Sequence, residues 1–215
     1  MGQSINTTGL LLTHNKYWQS KWYNDNNYIF SLYEDILIRN YIKNVFKNLN
    51  LFYGKCVIKR SIQKIYIYIN IYKKKRKNII NTKDKRKLIN KKEIKQILQS
   101  LTKLTNNRII LIIKPTNIFD AQLLAQYISR KLEIRNSFLS IFKKILNKIN
   151  KNKKIYKGFR IQCSGRPNGN DMAYIQWFKY GQIPLHTYNY KIDYAYTTAL
   201  TKYGLSGVKV WLSFV

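Results

Sequence analysis

The sequence predicts an α+β protein of two two-layer α/β domains, each a helix layer on a sheet. Three observations lead there. Apolar residues recur at helical spacing in several separate segments. Alternating apolar and polar runs lie between those segments. Six of the nine glycines and two of the three prolines fall between 158 and 211, so that stretch is where turns are chemically specified.

Residues 1–27 are polar and read as a loop-like arm, with Trp18, Trp22 and Tyr23 set among Lys16 and Lys21. From 28 to 115 a first domain is expected. Phe30, Tyr33, Ile36 or Leu37, Tyr41, Val45 and Leu49 recur at helical spacing, and Asn50 and Gly54 close that helix. Residues 55–60 read as a short strand. The next strand has Ile65, Ile67, Ile69 and Ile71 on one face and Tyr66, Tyr68 and Tyr72 on the other. The isoleucines should meet a helix layer; the tyrosines either stack bases or pack on a neighbour. Residues 72–95 hold twelve Lys or Arg against Asp84 and Glu93. A helix through Ile94, Ile97, Leu98, Leu101 and Leu104 and a strand over 108–114 complete the domain.

Residues 115–118 read as a linker, and Asp120 should open the second domain, 116–215. A helical pattern through Leu123, Leu124, Ile128 and Leu132 continues through Phe138, Ile141, Ile145 and Ile149. It is too long for one helix and should break near 133–136. Four antiparallel strands are expected from 159–163, 172–177, 192–200 and 208–212.

The totals constrain function. Forty Lys and Arg oppose nine Asp and Glu, a net charge of +31 that an anionic partner must neutralise. Aromatic residues make up 14% of the chain and are interleaved with the cations, which favours nucleic acid: Lys and Arg follow phosphates while rings stack on unpaired bases. The 31 Lys, 31 Ile, 23 Asn and 18 Tyr, against 5 Ala, have A/T-rich codons and point to an A/T-biased genome such as an organelle's. No apolar run approaches a membrane span, so no membrane partner is expected. The first Arg is Arg39 and no apolar core precedes it, so a leader peptide is not expected. Cys56 and Cys163 are expected as free buried thiols.

Catalytic patterns are missing. There is no P-loop, GxSxG or HxxxH, nothing orients His186 towards Cys163, and Asp171 and Asp193 have no third ligand. Neither an enzyme nor a cofactor or metal is expected.

The order Ser164-Gly165-Arg166, Gly169, Trp177, Gly181, Pro184-Leu185-His186-Thr187, Ile192-Asp193-Tyr194, Tyr203-Gly204 and Gly207 to Trp211 resembles the C-terminal domain of the universal small-subunit ribosomal protein S-three family. Met1-Gly2-Gln3, Trp18 to Tyr23 and Glu34-Asp35-Ile36 agree with it; 55–115 agrees in layout rather than in residues. The resemblance implies a type II KH-like first domain. That fold normally clamps RNA with a GxxG loop, but Asn81-Thr82-Lys83-Asp84 occupies the loop here, so contact by charge alone is expected. It further implies a place in the head of the small subunit, where the chain binds rRNA beside ribosomal proteins S-ten and S-fourteen. Tyr174 and Gln176 stand where the family usually has an Arg and a Glu, which removes an ion pair without orphaning a charge. Asp193 falls in a strand-start motif that implies a turn or a salt bridge to a Lys.

Candidate rRNA contacts are Arg160, Arg166, Lys179, His186, Lys191, Lys202 and Lys209, with Lys16, Trp18, Lys21, Trp22 and the run Lys73, Lys74, Lys75, Arg76 and Lys77. In the family, basic residues on the second helix of this domain line the channel through which mRNA enters, and Arg135, Lys143 and Lys144 match in part. The family's paired arginines align with Leu139 and Ser140, so lining is expected rather than unwinding. Phrases such as Gln162 to Arg166 resemble proteobacterial-type members, implying a mitochondrial ribosome, with a plastid or relict plastid as the other compartment. The competing reading is a free-standing RNA-binding module or RNA chaperone.

Overall fold

The computed structural model describes residues 6–12, 14–61, 63–72, 91–105, 107–116, 120–150 and 155–215. In chain order the elements are α1 (Thr7–Leu11), β1 (Ser20–Lys21), α2 (Tyr28–Asn48), β2 (Tyr53–Arg60), β3 (Lys64–Tyr72), α3 (Lys91–Thr105), β4 (Arg108–Thr116), α4 (Ala121–Glu133), α5 (Phe138–Asn150), β5 (Tyr156–Gly165), β6 (Tyr174–Gly181), β7 (Ile192–Thr201) and β8 (Gly204–Phe214). They form two compact units, residues 19–118, and residues 1–18 with 119–215.

The stretch expected as a loop-like arm contains α1 and β1. Asn6 starts α1 by accepting the Thr8 N–H on its side-chain oxygen at 3.0 Å, and Leu11 is buried. β1 pairs in parallel with β2, Ser20 opposite Ile58.

In unit 19–118 the sheet order is β1-β2-β3-β4, with β2 antiparallel and β4 parallel to β3. Ile65, Ile67, Ile69 and Ile71 are buried, as their alternation predicts, together with Ile58, Ile97, Leu101 and Ile109. Helix α2 forms where predicted, and Tyr41, Val45 and Leu49 of the expected stripe pack against the core, but the first half of that stripe faces outward. Its buried stripe is Ser31, Asp35, Ile38, Ile42 and Phe46, while Phe30, Tyr33 and Ile36 are exposed. The helix is apolar on nearly every side, so spacing alone does not select the face. Asp35 selects it, by meeting Arg60 of β2 across the layer. Arg60 donates through Nε (2.9 Å) and a terminal nitrogen (2.5 Å) to Asp35 Oδ1, and to Glu34 at 2.6 Å. Ser20 Oγ and Trp22 Nε1 donate to the other Asp35 oxygen at 2.7 and 2.8 Å. After Asn48 the helix ends in a Schellman turn: Asn50 takes φ 56°, with its N–H on Lys47 O and the Leu51 N–H on Phe46 O.

In the other unit the four strands are antiparallel in the order β6-β5-β8-β7. Helices α4 and α5 break where predicted and cover one face. Leu123, Leu124, Ile128 and Leu132 of α4 and Phe138, Ile141 and Ile145 of α5 are buried there, with Phe138 and Phe142 stacked on Phe178 at 5.3 and 4.8 Å. Asp193, 8% exposed, ties three segments of this unit together. It accepts the Ala121 N–H at the start of α4 (3.0 Å), the Tyr194 N–H (3.1 Å) and the Lys16 ammonium (3.5 Å). The salt bridge to a Lys implied at this position is therefore present. Asp193→Ala should lower the unit's stability by about 1–3 kcal/mol, because a buried N–H and an ammonium both lose their acceptor; a urea titration reads it.

Both cysteines are free and buried. Burial pushes each thiol from its ordinary 9.0 up to about 11. The folded state thus holds protons that the unfolded state releases. That stability is complete below pH 9 and is lost as pH rises through about 11. At pH 8 neither thiol should be alkylated in the native protein and both should be in denaturant; fast native labelling would contradict their burial.

Candidate nucleic-acid interface

Period-2 strands send alternate residues of the C-terminal sheet away from α4 and α5. Strand register then assembles two cross-strand rows on the outward face. One row reads Lys179, Arg160, Trp211, Tyr194, and the next reads Trp177, Gln162, Lys209, Tyr196. The two rows thus mix three cations, Lys179, Arg160 and Lys209, with four rings, of which Trp211 is 2% exposed. Trp177 and Tyr196 are 54% and 52% exposed.

Arg160 sits at the centre of this face. Its guanidinium carbon lies 4.9 Å from the Trp177 ring centroid and 5.3 Å from that of Trp211. Both distances lie within cation–π range, so the two indoles favour the guanidinium here and leave its charge intact. Its Nε, like Trp211 Nε1, is buried and finds no acceptor among the described residues. A buried donor without an acceptor is costly, and neither atom has surface that an incoming ligand could reach. Arg160, Lys179 and His186 line a shallow dent with Ile183, Pro184 and Leu185 from the connection between β6 and β7. Burial, with a smaller contribution from Tyr196, raises the Tyr194 phenol above its usual 10.0, so it remains a neutral donor.

The other expected contacts are placed differently. Arg166 is turned onto its own loop, donating to Asn170 O at 2.6 Å, 3.7 Å from Asp171 and over the Tyr203 ring. Lys191 and Lys202 are exposed. Lys16 is half-buried on Asp193, and Trp22 donates to Asp35 beneath the Arg60 guanidinium. Trp18 is 62% exposed and Lys21 is exposed. Lys73, Lys74, Lys75, Arg76, Lys77 and the 81–84 loop lie outside the described residues.

Lys143 and Lys144 are exposed on α5, away from its buried Ile141 and Ile145. Arg135 is exposed in the α4–α5 turn at φ 60°, the position that closes a Schellman motif and that glycine favours. An arginine there costs about 1–2 kcal/mol. Arg135→Gly should accordingly raise thermal stability by roughly 1 kcal/mol, measured by melting.

Trp177, Tyr194, Tyr196 and Trp211 were not among the residues picked from sequence. Their strand parity with Arg160 and Lys209 was the available signal, and it needs the register to be read.

Among known proteins, the family profile described as ribosomal protein S3, C-terminal domain, matches residues 128–212. The chain is similar to the small ribosomal subunit protein uS3 of Ehrlichia ruminantium (strain Welgevonden), 36% identical over 215 residues, covering 99% of this chain and 95% of that one. It is also 36% identical to the uS3 proteins of Syntrophus aciditrophicus, covering 98% and 92%, and of Geobacter sulfurreducens, covering 98% and 94%.

Proposed function

The chain belongs to the small ribosomal subunit protein uS3 family, and from that premise we propose how it acts. It is a structural constituent of the small ribosomal subunit that holds rRNA by charge and ring stacking, and makes or breaks no bond. The single observation that carries this mechanism is Arg160, within cation–π distance of Trp177 and Trp211 and opposite Lys179, on a face that mixes cations with exposed rings. Phosphates meet the cations and exposed bases meet Trp177 and Tyr196.

Unit 19–118 acts as a type II KH-like scaffold, a reading supported by its helix–strand–strand–helix–strand order with β3 and β4 parallel. With no glycine between Gly54 and Gly158, it meets rRNA by charge and not by a backbone clamp. Arg135, Lys143 and Lys144 line the channel through which mRNA enters, and the neighbours in the head are ribosomal proteins S-ten and S-fourteen. The strain accepted at Arg135 supports a use for that side chain. The compartment is a mitochondrion, with a plastid or relict plastid as the alternative; the codon-biased composition supports an organelle.

Sucrose-gradient sedimentation at low and high salt, followed by mass spectrometry of the fractions, tests the reading. The chain should travel with small subunits at low salt. A signal confined to the top fractions would favour the free-standing RNA-binding module.

A further inference from the structure

The connection between β6 and β7, residues 182–191, supplies Ile183, Pro184, Leu185 and His186 to the wall of the dent beside Arg160 and Lys179. Its two ends are fixed by neighbouring strands. At the start, a Cβ built on Gly158 of β5 would lie 2.6 Å from Gln182 O, so glycine there permits a close backbone approach. At the finish, Lys191 O accepts the Phe214 N–H at 3.1 Å, and Lys157 Nζ lies 4.0 Å from the Tyr190 ring centroid. Tyr188, between those ends, is held by the N-terminal arm. Asn15 Nδ2 donates to Tyr188 O, and the His14 ring lies 4.9 Å from the Tyr188 ring, tilted by 36°. The arm is itself seated in the same unit. Leu11 is buried, the N–H groups of Asn15 and Lys16 both donate to Leu11 O at 3.2 and 3.1 Å, and Lys16 Nζ meets Asp193 Oδ1 at 3.5 Å.

We propose that His14 and Asn15 are positioning residues of the RNA face: they hold Tyr188, and through it the 183–186 wall of the dent, in the shape that receives rRNA, without touching RNA themselves. The inference rests on the C-terminal sheet being the rRNA face. A connection of this length tied only at its ends keeps many backbone conformations, and a partner that needs one of them must offset the entropy of selecting it. A third tie at Tyr188 removes part of that cost before RNA arrives. Asn15 carries no charge and Lys16 is engaged by Asp193, so the arm contributes shape rather than neutralisation of phosphate. Asn15 stands 173 residues from Tyr188 in sequence, so the tie depends on the folded unit and not on the local run of the connection.

The test uses the full chain and small-subunit rRNA. In the His14→Ala/Asn15→Ala variant, amide hydrogen exchange should quicken at residues 185–190 and keep the parent's rates in β5 and β8. Filter binding should show rRNA affinity about three- to tenfold weaker, the loss of one or two modest contacts, with the parent's slope of log affinity against log salt. In a Leu185→Ala/His186→Ala background, which removes side chains of the wall, the same pair should cost under about twofold. Unchanged exchange at 185–190, unchanged affinity, or an equal loss in both backgrounds overturns the proposal. Faster exchange spread over β5 and β8 overturns it too, because the arm would then be a general stabiliser. So does a slope reduced by roughly 0.9, which marks a phosphate contact made by the arm itself. If Arg160→Met keeps the parent's slope while the arm variant still loses affinity in the wall-dependent way, the Arg160 mechanism fails and the positioning role stands.

Discussion

Replacing Asp35 with alanine should destabilise unit 19–118 by about 3–5 kcal/mol, the range for breaking a buried ion pair from one side. The carboxylate side chain is 2% exposed and the Arg60 side chain 12%. Its removal leaves a guanidinium in a poorly hydrated site with Glu34 as its remaining carboxylate, and strips the acceptor from Ser20 Oγ and Trp22 Nε1. For a domain of this size each kcal/mol shifts the melting temperature by roughly 4–8 °C, so thermal melting reads the effect easily. The double variant Asp35→Leu/Arg60→Met should be less damaged than Asp35→Ala alone, because the most buried guanidinium is removed with its carboxylate and only the more exposed Glu34 loses a partner. A single variant that melts with the parent would mean that the cluster does not hold β1 and the 19–22 segment in place.

The second large effect is on RNA. If six to ten phosphates are neutralised, rRNA affinity should fall about 10³–10⁵-fold between 50 and 200 mM salt. Arg160→Met retains much of the side-chain bulk between the two indoles and removes the charge. It should weaken binding and reduce the slope of log affinity against log salt by roughly 0.9, one phosphate's share. Trp177→Ala should instead cost about 1–3 kcal/mol with little change in that slope, because a lost ring contact releases no counterions. Filter binding across a salt series separates the two signatures. Equal slopes for Arg160→Met and the parent would remove Arg160 from the contact set.

The comparison between residues and structure is uneven for physical reasons. The strand over Ile65 to Ile71 was legible because a period of two places every isoleucine inward. The break between α4 and α5 was legible because the apolar stripe outruns one helix. The inward face of α2 was not, since Ile29, Tyr33 and Ile36 are as apolar as Ile38 and Ile42, and a carboxylate sits in the buried stripe. The choice depends on Arg60, which is distant in sequence. The same holds for the outward face of the C-terminal sheet. Arg160, Lys179 and Lys209 could be named from sequence, but their partners Trp177 and Trp211 emerge only when the strands are set in register.

The strand order β6-β5-β8-β7 has a consequence for biogenesis. The latest strand to be synthesised lies between two made earlier, so β5 with β6 and β7 by itself remain separate pieces until residues 204–214 emerge and join them. Until then α4 lacks the part of its cover that β8 supplies. Newly made chains should therefore depend on a chaperone, or on prompt delivery to their RNA, during that interval.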